Sequence, residues 1–112
     1  MSSKNKVQQG SGNVFRDMDA KYPERLLARA QIMHRIAEII RSRKLKQEQA
    51  ARLLGISQSK VSCLMNGKLS MFSLDHLFEL LNALDRNVKI VIEFNSSKRK
   101  SATTQVILPL SA

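Results

Sequence analysis

Scarcity excludes more in this sequence than abundance does. The 112 residues hold one cysteine, Cys63. No disulfide can form within the chain, which suits a reducing cytoplasm, the expected location. No apolar run approaches the ~18 residues of a membrane-spanning helix, so no membrane is expected as a partner. The opening residues, MSSKNKVQQGSGN, lack the apolar core of a secretion signal. The Asn95-Ser96-Ser97 sequon is accordingly not read as a glycosylation site. Two histidines, His34 and His76, lie far apart, and no Cys/His spacing resembles a zinc site. Neither a nucleophile–base pair nor a pair of catalytic carboxylates is found. Catalytic residues, metals and cofactors are therefore not expected, and no spare domain exists to hold a small-molecule ligand. Acid is the other shortage: 9 Asp and Glu stand against 19 Lys and Arg, for a formal net charge of +10 and a pI of about 10.4. That balance favours a polyanionic partner.

The stretch from Gln47 to Gly67 reads QEQAARLLGISQSKVSCLMNG. Its pattern predicts a short helix over 47–54, a break at Gly55, and a second helix from about Gln58 to Asn66. Glycine tolerates the left-handed conformation that a helix stop needs. Ser57 can cap the second helix by accepting from a free backbone N–H, and Asn66-Gly67 closes it. Ala50, Leu53 and Leu54 fall on one face of the first helix. Ile56 plugs the turn, and Val61, Leu64 and Met65 form the inner face of the second. The small Ala51 lets two helices cross closely. Gln58, Ser59, Lys60, Ser62 and Cys63 are left pointing outward. That face carries no carboxylate and suits base edges and the phosphates beside them.

Gln47, Ala51, Gly55, Val61 and Leu64 have the types and spacing of the phage-repressor-like (Cro/CI, or XRE) helix-turn-helix, and the chain resembles that family. The resemblance implies a mainly α fold: a lambda-repressor-like helix-turn-helix bundle of four to five helices. It implies that Gln47 contacts phosphate and that Gln58 reads a base, with Ser59 and Cys63 at the other base-facing positions. Asn66 and Lys68 match the backbone-contacting end. Lys46 stands where the family often has a capping threonine, and Cys63 where glutamine or arginine often reads bases. A redox role for Cys63 is the minor alternative to a small residue facing the groove. The layout from Val14 to Phe94 also resembles small antitoxins of the HigA type. Such proteins bind a palindromic double-stranded operator as homodimers and neutralise a small RNase toxin.

The rest of the chain is read from its own pattern. Residues 1–13 are expected to form a flexible tail. A domain over 14–86 contains the motif, and 87–112 form a C-terminal strand segment and tail. Val14, Phe15 and Met18 make a small apolar anchor. Pro23 and Glu24 open a long helix with a stripe of Leu26, Ala30, Met33, Ile36, Ala37 and Ile40. Arg43, Lys44 and Lys46, beside the motif, are either phosphate contacts or solvated surface. Ser73 caps a last helix striped by Leu74, Leu77, Phe78, Leu81 and Leu84. Val88, Ile90, Ile92 and Phe94 then alternate with Lys89, Val91 and Glu93, which predicts a half-buried β-strand. It would pair either with Val106 to Leu110 in a hairpin or with the same strand of a second chain, making 88–94 the dimerisation element. Lys98-Arg99-Lys100 form a basic loop between the two runs.

Overall fold

The computed structural model describes residues 21–109. The expectations for the 1–13 tail, the Val14–Phe15–Met18 anchor and Leu110 lie outside that range. From Pro23 on, the described residues form four α-helices: α1 (Pro23–Ser42), α2 (Gln47–Leu54), α3 (Gln58–Met65) and α4 (Leu74–Ala83), with a 3-10 turn at Leu69–Met71 between the last two. Pro23 opens α1, where its missing N–H costs nothing, and Glu24 sits at the positive end of the helix dipole. Ser57 and Ser73 cap α3 and α4, accepting from the N–H groups of Lys60 (3.1 Å) and His76 (3.2 Å).

Three of the helices stop in the same way. After α1, Leu45 N–H donates to Ile40 O at 3.2 Å and Lys44 N–H to Arg41 O at 2.9 Å. After α3, Lys68 and Gly67 donate to Cys63 O and Leu64 O; after α4, Arg86 and Asp85 donate to Leu81 O and Asn82 O. Each is a Schellman motif with its pivot in the left-handed region: Lys44 at φ 56°, Gly67 at φ 71° and Asp85 at φ 66°. Glycine is the inexpensive solution, and only one of the three pivots uses it. Lys44→Gly is expected to raise stability by ~1 kcal/mol, because an L side chain strains that conformation. The midpoint of urea unfolding measures it, and a loss of stability would contradict this account.

The core lies between α1 and the other three helices. Ile32, Met33, Ile36, Ile39 and Ile40 of α1 meet Ala50, Leu54, Val61, Leu64, Phe72, Leu77, Leu80 and Leu84. The buried stripe of α1 is rotated from the expected one. Ala28, Ile32 and Ile39 join it, while Leu26 and Ala30 remain half-exposed. Leu53 and Leu74, expected inside, are exposed, and Leu80 takes a core place. Ala50, entirely buried, marks the close approach of α2, whereas Ala51 lies at the edge of the core.

The expected C-terminal β-strand is absent. Among the described residues there is no strand at all, neither a hairpin with the run from Val106 nor a sheet of any other kind. Residues 88–94 are irregular, and Ile90, Val91, Ile92 and Phe94 are 69–92% exposed. The alternation was real, but a strand exists only through its hydrogen-bonded neighbour. The other apolar run does not supply one: Val106 packs on the helical core while Ile107 and Leu108 face outward. The loop between them is tied locally instead, with Asn95 Nδ2 donating to Lys100 O at 2.9 Å and Ser97 Oγ accepting from the N–H groups of Arg99 and Lys100.

Candidate nucleic-acid interface

α3 buries Val61 and Leu64, so its opposite face is open. Gln58 and Ser59 are the most exposed side chains at its N-terminal end. The Ser59 hydroxyl lies 3.2 Å from that of the capping Ser57, which holds it near the helix start. Ser62 is half-buried, and its oxygen accepts from Asn66 Nδ2 at 3.4 Å. That contact places the two polar groups together at the far end of the face. Lys60 and Cys63 differ from the others. The Lys60 ammonium sits 5.2 Å from the centroid of the Phe72 ring, a cation–π contact that draws it back toward the core. Cys63 is half-buried and packs on the hydrophobic cluster. Gln58 and Ser59 therefore project furthest, with Ser62 and Asn66 behind them.

Exposed polar and cationic side chains lie on the segments that border α2 and α3 in the chain. Arg43 and Lys44 follow α1, Lys46 and Gln47 open α2, and Asn66 and Lys68 follow α3; all six are exposed. Lys46 is the N-cap of α2, yet its side chain ends in a donor and makes no cap bond. Its own N–H is satisfied by Gln49 Oε1 at 2.8 Å. The cap is thus half a capping box, and the position carries a positive charge where a hydroxyl would serve the helix better. The neighbouring carboxylate, Glu48, lies 3.9 Å from Arg52 Nη2.

One buried charged side chain that positions this region escaped the sequence reading. Arg29, on the inner side of α1, is 6% exposed. Its Nη1 donates to Leu69 O at 2.9 Å and to Phe72 O at 3.5 Å. The guanidinium thereby fixes the segment that leaves α3 and carries Phe72, on which Lys60 rests. The only sequence signal was a charge between Ala28 and Ala30, inside an apolar stripe.

Residues 14–93 match the family described as a helix-turn-helix domain. The chain belongs to the helix-turn-helix family. A solved structure assigned to the XRE family of transcriptional regulators is 38% identical, with a TM-score of 0.73, covering 78% of this chain and 98% of that one. No curated protein matches the sequence. The XRE-type character is thus shared by sequence and fold, and the chain is a DNA-binding transcriptional regulator of that type. Among the described residues no helix of this XRE-type protein is long and apolar enough to cross a membrane.

Proposed function

We propose that this regulator represses its own operon as a homodimer and is the antitoxin partner of a small RNase toxin. The observation that carries the DNA-reading half is the open face of α3: exposed Gln58 and Ser59, no carboxylate, and the cations Arg43, Lys44, Lys46 and Lys68 on the flanking segments. Gln58 is suited to adenine, whose N6 and N7 match a side-chain amide in the major groove. The flanking cations, with Gln47 and Asn66, grip phosphates and set the register. Two copies related by a two-fold axis place two α3 helices in successive major grooves, ~34 Å apart, on a palindromic operator. The dimer contact is made by the apolar side chains of Val88, Ile90, Ile92 and Phe94. The toxin partnership rests on the order of segments, which resembles that of HigA-type antitoxins.

Gln58→Ala is expected to cost ~1–3 kcal/mol on the preferred operator and to relax selectivity at one base position. Lys68→Ala is expected to weaken all duplexes alike and to flatten the salt dependence. A titration of each variant against the DNA upstream of the gene, beside a scrambled duplex, separates the two effects. Wild-type selectivity in Gln58→Ala would remove α3 from the reading role. The toxin half is tested by co-expression with the product of an adjacent reading frame encoding a small RNase. Unrelieved growth arrest would reject it.

A further inference from the structure

A second polar site lies along α1. Between α1 and the turn after α4 runs an open cleft of about 550 Å³, lined by Arg35, Glu38, Ile39, Arg41, Ser42 and Arg86. Three of these six side chains are guanidinium groups and one is a carboxylate. The carboxylate is already engaged: Glu38 Oε1 accepts from Arg35 Nη1 at 3.3 Å, and its Oε2 lies 3.4 Å from His34 Nε2. Ser42 donates its hydroxyl to Ile39 O at 3.0 Å. Two guanidinium nitrogens in the cleft walls, Arg35 Nη2 and Arg86 Nε, are buried with no acceptor. Arg35 is held tightly, its side chain only 16% exposed. Arg86 is anchored through Nη1 to Leu84 O at 2.9 Å. Buried donors of this kind call for an acceptor, and a planar carboxylate matches the guanidinium fork.

The chain also carries an unmatched carboxylate. Glu93 is the only acidic residue from 87 to 112. It is exposed, takes part in no ion pair among the described residues, and sits between Ile92 and Phe94, each 92% exposed. That segment begins two residues after Arg86, so the cleft and the exposed apolar run are neighbours along the chain. We infer that the Arg35–Arg86 cleft receives the Glu93 carboxylate of a second copy, so that two reciprocal Glu93–arginine contacts fix the register of the homodimer. The two-fold operation makes the exchange mutual: each protomer gives one carboxylate and takes one. The apolar side chains beside Glu93 supply the buried area, and the charge pair sets how the copies are aligned.

This inference rests on the homodimer reading above, and the experiment keeps the two apart. Sedimentation equilibrium of the full chain gives the monomer–dimer constant for the wild type, Glu93→Arg, Arg86→Glu and the double variant, each with its thermal midpoint. Glu93→Arg removes no contact within the protomer and leaves the midpoint of the isolated monomer unchanged. The expected result is a dimer weakened about tenfold or more by either single change and recovered in the double variant, where the charges are exchanged. A wild-type dimer that Glu93→Arg leaves intact overturns the Glu93 assignment and spares the dimer. A double variant no tighter than its singles, with all midpoints normal, also overturns it. A wild type that stays monomeric at every concentration overturns the dimer itself.

Discussion

Phe72→Ala is expected to destabilise the protein by roughly 3–5 kcal/mol, the usual loss for truncating a buried phenylalanine. Phe72 is entirely buried although it follows a three-residue 3-10 turn and belongs to no α-helix. Its ring joins parts of the fold that sequence distance separates: it stacks on His76 with centroids 5.5 Å apart and carries the Lys60 ammonium near its face. Arg29 holds its carbonyl from α1. A domain of this size has about 5–15 kcal/mol of stability in all, so the loss removes a large share of it. At ~4–8 °C per kcal/mol, the thermal midpoint should fall by roughly 12–40 °C. Urea and thermal unfolding followed by circular dichroism measure both quantities. A shift under 1 kcal/mol would mean that Phe72 does not tie these parts of the fold together.

Raising salt from 50 to 200 mM is expected to weaken operator binding by roughly four orders of magnitude. Arg43, Lys44, Lys46 and Lys68 are exposed on the segments that flank α3. A dimer brings two such sets to the duplex. With each cation releasing a counterion, log K against log salt should have a slope of about −7. A single protomer would give a slope near −3.6 and a loss of only about two orders of magnitude. The slope therefore reports stoichiometry as well as mechanism, and Lys44→Gly should flatten it even as it stabilises the fold. A slope near zero would show that these cations face solvent and not phosphate.

What the sequence disclosed follows from how local each feature is. The bounds of α2, the left-handed Gly55, the stop at Asn66-Gly67 and the Ser57 and Ser73 caps are settled within four or five residues, and all were legible. The family resemblance rested on the same stretch. Burial was less legible. Leu53 and Leu80 look alike to a periodic reading, but which one meets α1 depends on how the helices cross. The burial of Arg29 is decided by carbonyls 40 and 43 residues away. Cys63 and Lys60 fell on the outward face by helical spacing, yet the core and the Phe72 ring draw them in. The C-terminal alternation misled for a related reason. It records which side chains are apolar, whereas a strand requires a second backbone, and among the described residues none pairs with 88–94.

The brevity of α3 bears on how long this protein survives in a cell. Isolated helices under about 12–15 residues are marginal in water, and α3 has eight. Its shape is lent by Val61 and Leu64 against the core, so the reading face cannot outlast the domain that supports it. Anything that grips that face is then also a folding ligand. Operator present at a hundred times its dissociation constant adds ~2.7 kcal/mol to the stability of the bound molecule. Copies in excess of operator sites lack that protection and open more often to proteases. Turnover is thereby coupled to occupancy: the regulator is longest-lived where it is working, and the surplus is the fraction that degradation removes first.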